Sequence, residues 1–427
     1  MKLKITIGHK CLSIISKTTL LCLLLAVVNA CDTSNNVEPR FEQFFIKFYG
    51  EDGDQDGSSL AVLDDGGFAL VGTTTTRDQG RQVYVVRTDA IGNEVWSNHF
   101  GGPNDDEGVD VMVDASGELV IAANTFDAQG ESDVLLLKVS PSGELIMETT
   151  LTNPGDERVE SLSRTAGGDY ILTGLTTDVD VNKNGHDPIT DLLDIFTIRT
   201  DASFQVLDVS LWIRRQGFPG VDEGTSVLQT NDGNFIVFGT TDFPPPGNSQ
   251  LAGTNILAFP VDDNGIPTAG NSLQLFGTTA NERAADIQQT ADGGFVLLGT
   301  STGQTEFNQL FLTRLRNNGD FINSILINSD QDFNVIAQSI KEIPDGGFIV
   351  LGDEMGNDNT NIYLARISPN GDTAWEETYG GEELDQSGEV VVLDDGGFAF
   401  IGTVELENQN KMSLIKTNAS GTLVPEN

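Results

Sequence analysis

Between Asp180 and Asp191 the chain reads DVNKNGHDPITD, with oxygen-bearing side chains at alternate places. Asp180, Asn182 and Asn184 stand at positions 1, 3 and 5 of a twelve-residue calcium loop, Gly185 at 6, His186 at 7 through its carbonyl, and Asp191 at 12. Alternate oxygens with a glycine turn let one short loop wrap a hard cation, so Ca2+ is the cofactor this spacing suggests. Pro188 at position 9 supplies no side-chain oxygen, and Asp at position 12 reaches less far than Glu. A solvated Asn/Asp-rich turn is the competing reading. A second run, DGDQDG from Asp52 to Gly57, has the same opening spacing but Leu63 at the twelfth place. It aligns with segments where acid recurs: Asp106 and Glu107, Asp156 and Glu157, Asp222 and Glu223, Glu282, Asp332 and Asp385. Such acids either gather cations at a rim or, more commonly, accept hydrogen bonds from their own turn backbone.

Nucleophilic chemistry finds little support. Beyond the leader described below the histidines are His99 and His186, and no G-x-S-x-G elbow accompanies either. Zinc-protease, Walker and dinucleotide patterns are absent from the sequence. A carboxylate pair for glycoside chemistry can hide among 64 Asp and Glu, because spacing along the chain does not reveal it. Trp96, Trp212 and Trp375 are either sugar platforms or packing residues, with packing favoured by their places near the ends of repeat units.

The positioning elements begin with a leader. Lys2, Lys4, Lys10 and Lys17 precede the apolar run LLCLLLAVV from Leu20 to Val28, too short to span a bilayer but suited to the middle of a secretory signal. VNAC at Val28 to Cys31 follows, and resembles the lipobox of bacterial lipoproteins, in which the cysteine carries the lipid after cleavage. The resemblance implies a signal peptide over residues 1–30, lipidation with palmitate at Cys31 and a polar tether over residues 31–41. A plain signal peptide cut near Ala30 is the alternative. Since the other cysteines, Cys11 and Cys22, lie in the leader, the mature chain would have no intrachain disulfide, and its core must hold it together. The formal net charge of -41 argues against nucleic acid as a partner.

Residues 42–427 repeat. DDGGFALVG at Asp64 returns as DASGELVIAA (Asp114), TAGGDYILTG (Thr165), NDGNFIVFG (Asn231), ADGGFVLLG (Ala291), PDGGFIVLG (Pro344) and DDGGFAFIG (Asp394). The anchoring positions are Phe68, Leu119, Tyr170, Phe235, Phe295, Phe348 and Phe398. Each unit holds four short runs rich in β-branched and aromatic residues, with glycine turns after the first and third. Phe204 stands where the third unit needs its second turn glycine, so a different turn is expected there. Nearly continuous apolar runs such as FIVFG suit strands covered on both faces.

These units, with VWSNHFGG at Val95 and AWEETYGG at Ala374, resemble a DGGF/W-GG repeat of exported bacterial and archaeal proteins whose copies are taken to form β-propellers. The expected fold is all-β, a seven-bladed β-propeller of four-stranded antiparallel blades. The chain opens with EQFFIKFYG, which matches a fourth strand, and ends where the seventh unit lacks one. Phe44 to Tyr49 should therefore pair beside Met412 to Thr417 and close the ring. Extra residues fall at 176–194 and 240–255, on one face. The functional expectation is a lipid-anchored cell-envelope propeller, at the outer membrane ahead of the inner. It would act without catalysis as a binding or scaffold protein for a glycan or an envelope protein, through that face. A carboxylate-based glycan-degrading envelope enzyme is the alternative.

Overall fold

The computed structural model describes residues 43–76, 80–153, 155–178, 192–207, 214–216, 218–243, 251, 253–262, 274–302, 307–327 and 334–424. Within DDGGFALVG the glycines have separate reasons. Leu63 N–H donates to Gly67 O and Gly66 N–H to Leu63 O, both at 2.9 Å. With φ of 79° at Gly66, this is a tight turn closed by a left-handed residue. Gly72 answers a close approach: a Cβ there would lie 1.9 Å from the carbonyl oxygen of Asp56. That carbonyl is pushed forward by a bulge in the facing strand, where the register skips between Gly57 and Ser59. The skip recurs at Gly108/Asp110, Val159/Ser161, Gly224/Ser226, Ala284/Asp286, Ala337/Ser339 and Ser387/Val390. Each bulge re-aims side chains of the first strand of a blade.

The described residues hold 28 strands in seven four-stranded antiparallel sheets, and no helix is present among them. The first, innermost strands are Gln55–Val62, Asp106–Val113, Glu157–Arg164, Asp222–Gln229, Asn281–Gln289, Asn334–Glu342 and Gln386–Val392, in blades one to seven. Second and third strands such as Phe68–Thr76 and Gly80–Thr88 are buried on both faces, which accounts for their unbroken apolar runs. The fourth strand of blade seven is Phe45–Tyr49, antiparallel to Gln409–Thr417, with Phe45 opposite Lys416 and Tyr49 opposite Met412. The closure expected from the sequence is the one observed.

Packing reports the same ring. Seven apolar clusters fill the spaces between neighbouring blades. An open row of seven sheets has six such spaces; the seventh, which joins Phe45, Tyr49, Ala399, Ile401 and Leu414 to Leu60, Phe68 and Tyr84, lies between blades seven and one. Between blades, an outer-strand side chain lies against the turn glycine of the next blade: a Cβ on Gly143 would meet Trp96 at 3.0 Å, and one on Gly421 would meet Trp375 at 2.6 Å. Trp96 also donates from Nε1 to Pro141 O at 3.0 Å. These two tryptophans are thus packing residues; Trp212 lies outside the described residues.

The expectation of a different turn at Phe204 is corrected. Phe204 N–H donates to Asp201 O at 3.0 Å and Asp201 N–H to Gln205 O at 2.9 Å, the pattern of the glycine turns, and Phe204 itself takes φ of 61°. The facing outer strand of blade two carries Met147 where blade one has Trp96. The slimmer side chain leaves room that the Phe204 ring fills, 1% exposed and 5.8 Å from Tyr170. Burial of that ring compensates for a backbone conformation that aromatic residues rarely take.

Four of the acids at the crossings serve the backbone, and Asp332 lies outside the described residues. Asp106 Oδ2 accepts from Gly102 N–H at 2.6 Å, Asp222 Oδ2 from Phe218 N–H at 2.5 Å, Glu282 Oε2 from Thr278 N–H at 3.0 Å and Asp385 Oδ2 from Gly381 N–H at 2.9 Å. In the DGDQDG run, Asp54 and Asp56 accept from the backbone and side-chain amides of Asn410 at 3.0 and 2.9 Å. Lys411 Nζ reaches Glu51 O, Gly53 O and Gln55 Oε1. This run therefore bolts blade one to blade seven.

Candidate functional site

Residues from all seven inner strands line a cavity of about 940 Å3 on the axis of the ring. Its mouth lies at the starts of these strands. Gln55 pairs with Thr74, near the end of the second strand, so the mouth shares a face with the second-to-third connections. The two longest of these leave after Thr176 and Thr241 and return at Asp194 and Asn255.

Side chains of both signs meet at the mouth. Arg81 pairs with Glu107, whose Oε1 is also 3.8 Å from Arg158, and Arg283 pairs with Glu223 at 3.1 Å. Glu160, the extra residue of the blade-three bulge, is open to the water of the channel yet enclosed by protein atoms on most sides. That enclosure pushes its carboxyl up to about 7, against the opposing pull of Arg283 and Arg158, with Glu223 and Glu107 adding to the rise.

Deeper, the bulges aim Ser59, Asp110, Ser161, Ser226, Asp286, Ser339 and Glu389 inward. Asp110 Oδ2 accepts from Leu162 N–H at 2.8 Å, and Asp286 Oδ2 from Ile340 N–H at 2.9 Å, so each carboxylate ties its blade to the next. Lys341 Nζ lies 3.0 Å from Glu389 Oε1 and 3.5 Å from Asp286 Oδ2. Ser59 Oγ lies 2.9 Å from Asp110 Oδ1 and 2.8 Å from Glu389 Oε2. One hydroxyl has one proton, so two short contacts to carboxyl oxygens call for a second proton among the three groups. Burial, then the Glu389 charge, raises Asp110 to about 7, in keeping with that proton. Burial also raises Asp286.

The arrangement can hold polar groups by charge and hydroxyl contact, and offers two carboxyls, Asp110 and Glu160, that titrate near neutrality. His99 is exposed on the outer strand Glu94–Phe100, away from it. Cys31 and the calcium-loop residues Asp180, Asn182, Asn184, His186 and Asp191 lie outside the described residues. Among the described residues, no group of three or more His, Cys, Asp and Glu is arranged for a metal ion. Sequence reading missed Asp110, Glu160, Asp286, Lys341 and Glu389. For Asp110, Asp286 and Glu389 the signal was a polar letter repeated at one place in the inner strands, two residues after each bulge begins; Glu160 and Lys341 lie off that place.

No protein-family model matches the chain, and no curated protein matches it. Among solved structures, an ulvan lyase described as a new family of polysaccharide lyase aligns with a TM-score of 0.55 at 9% identity, over 89% of this chain and 98% of the lyase. The polysaccharide lyase Uly1 aligns with a TM-score of 0.54 at 10% identity, over 91% of this chain and 94% of its own. A protein of unknown function from Dyadobacter fermentans gives 0.48 at 12% identity, over 87% of this chain and 97% of its own. At such identities the likeness is one of fold, and the class defined by fold and topology is the seven-bladed β-propeller.

Proposed function

We propose that the protein is a lipid-anchored propeller of the cell envelope, a binding module whose ligand enters the axial channel from the face of the long connections. The single observation behind this reading is the channel itself: about 940 Å3, lined by hydroxyl and charged side chains from every blade and opening on the face where the strands Tyr170–Thr176 and Phe235–Thr241 end. Anchoring rests on the leader and on Cys31, with the outer membrane as the favoured address, and the 180–191 loop is proposed to take Ca2+. Cys31→Ser tests the anchor: radiolabelled palmitate should be incorporated by the parent chain alone, and equal labelling of both would refute lipidation at this residue. For the channel, Ser226→Trp should abolish binding of a hit found on a glycan array; unchanged binding would move the site elsewhere.

A carboxylate-based glycan-degrading enzyme is the second reading. It is favoured by Asp110 and Glu160, whose carboxyls near 7 suit general acid work at neutral pH. Polysaccharide lyases among the propellers of like fold make it worth testing. Cleavage of an array hit, lost in Asp110→Asn or Glu160→Gln, would establish it; an intact glycan after incubation supports the binding module.

A further inference from the structure

We infer that the channel mouth is a subsite for a carboxylate borne on a hydroxyl-rich ligand, a uronate-type saccharide, held by the guanidiniums of Arg158 and Arg283; this rests on the channel being the binding site. In a chain of net charge -41, Arg81, Arg158, Arg283 and Lys341 all line this one cavity. Arg158 and Arg283 come from blades three and five and are 44% and 73% exposed, so a ligand can reach both. At 3.8 Å from Glu107, Arg158 is beyond hydrogen-bond reach of it, which leaves its forked donors available, while its Cζ rests 5.2 Å from the centre of the Phe126 ring. A guanidinium fork matches a carboxylate with two parallel hydrogen bonds.

Glu160 is a third internal anion at this place, beside Glu107 and Glu223, which already lie against Arg81 and Arg283. Its carboxyl feels Arg283 and Arg158, and also Glu223 and Glu107, and titrates at about 7. When it is protonated the two arginines lose one acidic neighbour, which favours an external carboxylate. The deeper lining of Ser161, Thr225, Ser226 and Gln338 suits sugar hydroxyls. Among the described residues lining the cavity there is no Phe, Tyr or Trp, so charge supplies much of the selectivity there.

Calorimetric titration of the full-length chain in detergent micelles tests this, with trigalacturonate and its methyl ester as probes. The acid should bind about tenfold or more tightly than the ester. Arg158→Gln and Arg283→Gln should each weaken the acid about tenfold while leaving the ester and the thermal midpoint unchanged. In the parent, affinity for the acid should rise as pH falls through about 7, where a uronate with a pKa near that of an ordinary carboxyl stays ionised. Glu160→Gln should bind tightly at all these pH values. Equal binding of acid and ester, or indifference to both arginine substitutions, would overturn the subsite; Ser226→Trp abolishing that binding would still leave the channel as the site. Failure of both probes to bind would also overturn it.

Discussion

Phe204 shows how one residue can keep a repeat in register while breaking its letter pattern. Its left-handed backbone is held by a buried ring that fills the space left by Met147. Phe204→Gly should relieve the backbone but open a cavity, for a net loss of about 2–4 kcal/mol in denaturant unfolding. Met147→Trp in that background should restore most of it, a coupling that a double-mutant cycle measures. The anchoring aromatics were legible because each is a large apolar letter after a turn; Phe204 was misread because its partner sits 57 positions away in another blade. The channel acids carry a second residue-scale prediction. Asp110 and Glu160 have folded pKa values of about 7, above the ordinary carboxyl range near 4, so folding takes up protons between about pH 4 and 7; burial raises Asp286 as well. Stability contributed by these groups is present at the acidic end and falls as pH rises through about 7. Asp89, Asp114, Asp232, Asp292 and Asp345 shift downward, and their contribution is already complete above about pH 4, so they do not offset this slope. Asp110→Asn should flatten the slope of unfolding free energy against pH, and a slope equal to the parent's would count against the protonated Ser59 cluster.

At the scale of elements, strands and turns were readable and the bulges were not. A turn needs particular letters at particular places, whereas a bulge in an inner strand is set by what faces it, here Gly72 and its counterparts. The site residues ride on these bulges, which is why they escaped a reading built on turns and loops. The closing element was readable because a fourth-strand pattern stood at the wrong end of the chain. Its stitching, however, comes from DGDQDG and Lys411, whose spacing had suggested a cation. Lys411→Met should cost about 1–3 kcal/mol, since it leaves carbonyls of the 51–53 turn without their ammonium donor. Denaturant unfolding checks this. A loss no larger than that of an exposed lysine elsewhere would mean that strand pairing alone closes the ring.

For the molecule as a whole, closure turns seven sheets that each need two covered faces into one body without free ends, and it creates the axial channel as a by-product. In a chain of net charge -41, the channel gathers cations beside its acids: Arg283 with Glu223, and Lys341 with Glu389. The ring number, blade make-up and closing strand were legible because repetition sums weak local signals, while the channel required knowing which side chains converge. The channel exists only where the head of the chain completes the last blade. Cysteines at Phe48 and Ser413, which are direct partners across the closing strand pair, test that most directly. In a chain whose own cysteines are replaced by serine, mild oxidation should give a peptide pair linked between these two positions, because opposite residues in an antiparallel pair lie within about 4.5–5.5 Å, inside disulfide reach. Linked peptides found only between different chains, or none at all, would contradict the closed ring and with it the channel.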